Sequence, residues 1–135
     1  MTRFIKEAIS TDKAPKALGP YSAGVRFNNL IFTAGQLGIV PITGDLMLGG
    51  IEAETRQALN NISAILIAAG TSMAQVVKTT VFLRDMNDFT RMNNVYAEFF
   101  DSPYPARSTI QVAALPKGGA VEIEAVAIIP DKALP

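Results

Sequence analysis

Apolar positions along this 135-residue chain change period several times, and each change marks an element. Apolar or small residues recur at Ile51, Thr55, Ala58, Leu59, Ile62, Ile65, Leu66 and Ala69, one face at a 3.6-residue period, which predicts a helix over 51–69. Glu52 and Glu54 suit the positive end of its dipole, and Gly70 suits the position just past its end. A second stripe, Phe89, Met92, Tyr96, Phe99 and Phe100, predicts a helix over 89–100 with Asp88 as its cap. Val76 to Leu83 between them is rich in β-branched residues and reads as a strand.

Extended patterns occupy the two ends of the chain. Arg3 to Ile9 reads as an edge strand. Ser22 to Phe27 and Leu30 to Gly35 read as a hairpin, because Asn28-Asn29 tolerates the positive φ of a tight turn. Pro41 to Gly50 is a turn-rich loop with a short strand near Leu46 to Leu48. Ser108 to Ala113 and Val121 to Ile129 form the last two strands. Val121, Ile123, Ala125, Ala127 and Ile129 point one way and Glu122, Glu124, Val126 and Ile128 the other. The second half of that strand is apolar on both faces, so both need cover: helices on one, a neighbouring subunit on the other. The order predicts an α+β fold, one domain over 1–135, with the helices on one face of the sheet.

Composition sharpens this picture. Apolar residues make up 49% of the chain, a surplus that subunit contacts would absorb. Twelve basic residues balance twelve acidic ones, which argues against nucleic acid or an anionic membrane as partner. No segment has the apolar run of a signal peptide or a membrane span, and cysteine is absent, so a cytoplasmic protein is expected. Histidine is absent too. The usual imidazole base, a thiol nucleophile and a metal cage of His and Cys are all unavailable.

Attention therefore falls on Arg107, in Tyr104-Pro105-Ala106-Arg107-Ser108-Thr109 at the head of an apolar segment. A guanidinium there is costly unless an anion meets it, and a small carboxylate would do so. Thr109 shares its face if the segment is extended, and Glu122 and Glu124 share another. If the tail strands pair directly or through one intervening strand, arginine and carboxylate approach one pocket; a structural Arg–Glu salt bridge is the competing outcome. Tyr21 in Gly19-Pro20-Tyr21 either hangs over a cleft or packs at a sheet edge with a wet hydroxyl. Asn93 lies near the second helix's apolar stripe and needs a partner. Gly35 permits close backbone approach or merely turns the chain.

Six motifs occur in order: Gly19-Pro20-Tyr21-Ser22, Phe32-Thr33-Ala34-Gly35-Gln36, Val77-Lys78-Thr79-Thr80-Val81-Phe82-Leu83, Asp85-Met86-Asn87-Asp88-Phe89, Pro105-Ala106-Arg107-Ser108 and Val121-Glu122-Ile123-Glu124-Ala125. Together they resemble the RidA (YjgF) family of reactive-intermediate deaminases over nearly the whole chain. The resemblance implies a chorismate-mutase-like α+β fold, a homotrimer with sheets facing inward, and pockets at the subunit interfaces. It implies hydrolysis of 2-imino acids and their enamine tautomers, such as 2-aminoacrylate and 2-iminobutanoate, to 2-keto acids and ammonia without a cofactor. Carried over, Arg107 grips the substrate carboxylate and Glu122 activates water, while Tyr21, Gly35, Asn93 and Thr109 occupy pocket positions. Many relatives have cysteine where this chain has Thr109. Contacts there are largely through backbone, so threonine preserves binding but removes any thiol chemistry. A trimeric module that senses 2-keto or amino acids and regulates a partner protein is the alternative.

Overall fold

The computed structural model describes residues 5–130. Seven strands and two helices run in the order β1 (Lys6–Ile9), β2 (Gly24–Phe27), β3 (Leu30–Thr33), β4 (Gln36–Leu37), α1 (Ile51–Ala68), β5 (Val76–Leu83), α2 (Phe89–Tyr96), β6 (Ala106–Gln111) and β7 (Val121–Ile128). They form one mixed sheet in the order β1-β2-β3-β7-β5-β6, with β4 also pairing with β7. Every pairing is antiparallel except β5 with β6. Those two run parallel because α2 carries the chain back between them, the crossover that a parallel pair requires.

Most predicted elements occur close to their expected places. The β2–β3 turn has Asn28 at φ 56°, as a tight hairpin demands. Gly70, at φ 90°, ends α1 in a Schellman motif: its own N–H donates to the Ile67 carbonyl at 3.0 Å, and the Thr71 N–H donates to the Leu66 carbonyl at 2.9 Å. The loop before α1 holds one isolated bridge, Ile39 to Leu46, in place of the expected short strand.

Several element boundaries differ from expectation. The second strand begins at Gly24, because residues 19–23 form bends around Pro20. Arg3 and Phe4 of the expected edge strand lie outside the described residues. The second helix ends at Tyr96, although turns carry its apolar stripe on to Phe100. Its cap is also displaced. A 3-10 turn over Met86–Asp88 precedes it, Asp85 accepts the Asn87 N–H at 2.9 Å, and Asp88 instead pairs with Arg91. Finally, β6 starts at Ala106, which places Arg107 inside the strand; β5 lies between β6 and β7, the second of the two pairings foreseen.

The core lies between the sheet and the two helices, all on one face. Ile31, Val81, Leu83, Val121, Ile123, Ala125 and Ala127 of the sheet meet Ala58, Leu59, Ile62 and Leu66 of α1 and Met92 and Tyr96 of α2. Burying side chains of this size stabilises by about 1.5–3 kcal/mol each. The opposite sheet face, away from the helices, carries Phe32, Val126, Lys78, Thr80, Phe82 and Ile110. Phe32 and Ile110 are 43% and 46% exposed. The half-buried Val126 and Ile128 show the same asymmetry within β7.

Asn61, unremarked in the sequence, ties α1 to the strand that flanks the open cavity. It is 1% exposed, and its amide donates to the Leu37 carbonyl at 3.2 Å and the Ile39 carbonyl at 2.9 Å. Gln57 one turn earlier donates to its carbonyl oxygen at 2.9 Å. Replacing Asn61 with alanine strands two buried carbonyls and leaves a void. A loss of about 2–3 kcal/mol is expected, read as a lowered midpoint in urea unfolding.

Candidate active site

Register decides where the candidate residues stand. In β5, Thr79 faces Arg107 of β6 on one side and Ala125 of β7 on the other. Residues directly opposite share a face, so Arg107 points with Ala125 toward the helices. Glu122 is three residues from Ala125, an odd step, and therefore points to the other face. The intervening strand foreseen from the sequence is present, but it does not bring arginine and carboxylate into one pocket of the same chain.

On the helix side, Arg107 lies against α2. Phe89, Asn93 and Tyr96 are spaced to share one helical face. The Arg107 guanidinium carbon sits 4.7 Å from the Tyr96 ring centre and 5.6 Å from that of Phe89. Among the described residues it pairs with no carboxylate, so the structural Arg–Glu bridge is not formed. Asn93, Tyr96, Ala97, Tyr104, Pro105 and Arg107 line a shallow cavity of about 450 Å³. Two buried oxygens near it have no hydrogen-bond partner, Asn93 Oδ1 and, on the strand face of Arg107, Thr109 Oγ1. Beneath the guanidinium, the Tyr96 hydroxyl and Thr79 Oγ1 share a hydrogen bond of 2.7 Å.

Glu122 occupies the other face, at a second cavity of about 320 Å³ lined by Tyr21, Gly35, Leu37 and Glu122, among others. A bulge builds this corner. The β3–β7 pairing ends at Phe32 with Val126 and the β4–β7 pairing starts at Gln36 with Ile123, so residues 33–35 span only residues 124 and 125. Thr33 Oγ1 accepts the Ala125 N–H at 3.0 Å across the gap. Gly35 at the bulge is where a side chain has no room: a Cβ there would lie 2.3 Å from Glu122 Oε1 and 2.9 Å from its Cδ. Close approach, not turning, is the role of this glycine.

Cross-strand neighbours Leu37 and Phe82 flank Glu122. Burial beside them, and secondarily the Glu124 charge, hold the Glu122 carboxyl above the usual glutamate range. Among the described residues no cation or hydrogen-bond donor offsets this. Tyr21 sits in the bend before β2, not in a strand, and its hydroxyl accepts the Leu18 N–H at 3.1 Å while its ring is half exposed. Each chain thus carries two separate clusters: Arg107 without an acid partner beside Asn93 and Thr109, and a Glu122 carboxyl without a cation beside Tyr21 and Gly35.

A family model described as Endoribonuclease L-PSP matches residues 11–129. The bovine (Bos taurus) 2-iminobutanoate/2-iminopropanoate deaminase is 52% identical over 128 residues, covering 95% of this chain and 93% of that one. The chain belongs to the RidA (YjgF) family. Solved structures of similar proteins agree. RidA from an Antarctic Psychrobacter superposes with a TM-score of 0.88 at 48% identity, covering 91% of this chain and 99% of its own. TdcF of E. coli with bound serine superposes with a TM-score of 0.86 at 44% identity, covering 90% and 98%. RidA membership accounts for the ordered motifs.

The raised Glu122 carboxyl has a consequence for stability. The folded protein binds this proton more tightly than the unfolded chain, so stability falls as pH climbs from the ordinary glutamate range through the raised value. Glu122→Gln removes that penalty. The variant is expected to melt above the parent at pH 7, with the gap closing toward about pH 4, in thermal scans across pH.

Proposed function

We propose that this protein hydrolyses 2-imino acids and their enamine tautomers, such as 2-iminobutanoate and 2-aminoacrylate, to 2-keto acids and ammonia. The observation that carries the proposal is the pair of complementary, unsatisfied half-sites. A guanidinium lacking an acid partner is matched by a carboxyl lacking a cation, on opposite faces of one sheet. They meet only if the Glu122 face of one chain packs against the Arg107 edge of the next. A closed ring of three such contacts, the chorismate-mutase-like trimer with sheets inward, leaves each half-site complemented and covers exposed Phe32 and Ile110. Deaminases among the relatives support this chemistry.

In the completed site, Arg107 grips the substrate carboxylate through two parallel N–H donors. Water adds to the imine carbon as Glu122 accepts one of its protons. The C=N electron pair moves to nitrogen, giving a carbinolamine. Glu122 returns that proton to nitrogen and then carries the hydroxyl proton to the same nitrogen; the C–N bond breaks as the C=O bond forms, releasing ammonia and the keto acid. A carboxyl held above its usual pKa is better matched to both proton transfers near neutrality than an ordinary one. Such imines hydrolyse unaided, so a thousandfold gain needs only about 4 kcal/mol, within reach of positioning and one general base. Asn93, Tyr21, Gly35 and Thr109 shape the pocket. No cofactor enters, the substrate is the small-molecule partner, and the site of action is cytoplasmic. RNA cleavage fits poorly with a balanced net charge and a chain without histidine.

The E. coli relative with bound serine keeps one rival reading in view, a module that binds amino or keto acids without turnover. One experiment separates the two and tests the shared site. Glu122→Gln should abolish release of 2-oxobutanoate from 2-iminobutanoate while leaving 2-oxobutanoate binding within a few fold. Mixing it with Arg107→Ala, followed by subunit exchange, should restore activity to about a quarter of the parent, since random assembly pairs intact halves at that frequency. Unchanged turnover in Glu122→Gln removes the proposed base. No recovery in exchanged mixtures removes the shared site.

A further inference from the structure

Arg107 poses a physical problem that the substrate solves only while bound. A partly buried guanidinium commonly keeps a resident carboxylate, but such a partner here would occupy the donors that the substrate needs. Aromatic faces stabilise a cation without using its N–H groups, which lie at the edge of the guanidinium plane. Arg107 has two such faces, Tyr96 at 4.7 Å and Phe89 at 5.6 Å.

Tyr96 is the more constrained of the two. Its residue is 7% exposed, its ring packs on Phe100 with centres 4.6 Å apart, and its hydroxyl bonds Thr79 Oγ1 at 2.7 Å. Thr79, 1% exposed on β5, is the direct cross-strand neighbour of Arg107. Strand, hydroxyl pair, ring and guanidinium therefore close a small circuit. Burial raises the Tyr96 pKa, against the lowering pull of the Thr79 bond and Arg107. Arg107 acts on the phenol both by its charge and by a hydrogen bond to the hydroxyl, so the neutral phenol engages the guanidinium without neutralising it.

Resting on the assignment of Arg107 as the carboxylate anchor, we propose that Tyr96 is a positioning residue: pinned by Thr79, its ring and hydroxyl hold the empty guanidinium in its binding plane and leave the remaining donors for the substrate. The pinned ring orders the arginine before substrate arrives, so less side-chain freedom is lost on binding. Phe89 gives a weaker second face.

The test is steady-state kinetics of 2-iminobutanoate hydrolysis with calorimetric binding of 2-oxobutanoate. Tyr96→Leu removes the face and should raise KM and the 2-oxobutanoate Kd at least tenfold. Its kcat should stay within threefold, and the pH midpoint contributed by Glu122 should not move. Thr79→Val, which keeps the packing and loses only the pin, and Tyr96→Phe, which also loses the hydroxyl's bond to Arg107, should each raise both constants three- to tenfold, so the inference stays testable if the leucine variant fails to fold. A merely structural role would lower kcat and melting temperature without a selective change in carboxylate binding. That pattern, or a Kd within twofold of the parent in the two conservative variants, overturns the inference. A parent protein that neither binds 2-oxobutanoate nor turns over the imine would instead overturn the deaminase proposal itself.

Discussion

Strand β7 runs through the middle of the sheet, bonded to β3 and β4 on one side and β5 on the other. Its strict alternation is the constraint on which the rest depends. Val121, Ile123, Ala125 and Ala127 must all reach the core, because both helices lie on that face. Sliding the strand by one residue would turn Glu122 and Glu124 into the core and Val121 and Ile123 out of it. The same register that secures the hydrophobic interior therefore commits Glu122 to the open face and, through Thr79, Arg107 to the helix face.

The two half-sites are stabilised by different means, each leaving a functional group unsatisfied. Glu122 lies between Leu37 and Phe82, in the space that the missing side chain of Gly35 leaves beside the bulge. Its carboxyl is desolvated without being paired, which favours the protonated form. Arg107 is charged and lies on aromatic rings, with no carboxylate partner among the described residues. Neither arrangement is the cheapest for stability; pairing each with an internal partner would cost less. Unpaired charged groups at this one pair of positions, in a chain otherwise consistent from pattern to packing, are what singles out the candidate site.

Buried polar residues away from the site perform a separate task. Asn61 satisfies two carbonyls of the β4 region, and Glu54 Oε1 accepts the Ala120 N–H at 2.9 Å just before β7. Both belong to α1, so one helix anchors the chain on either side of the Glu122 corner. The sequence offered little signal for them. Glu54 reads as a first-turn acid matched to the helix dipole, and Asn61 as one polar residue beside an apolar stripe.

Local pattern determined what local physics controls: the span of β5, the start of α1 and its glycine stop at position 70, the Asn28 turn, and the alternation of β7. The candidate residues were legible too, because a lone arginine at a strand head and paired glutamates in a strand are unusual in a chain without histidine or cysteine. Other features were not local. The bulge at Gly35, the cap at Asp85 and the placement of β5 between β6 and β7 depend on strand partners far away in the chain. Which face each charged side chain takes relative to the other follows from register between strands. That is a property of pairing, and only the tertiary structure decides it.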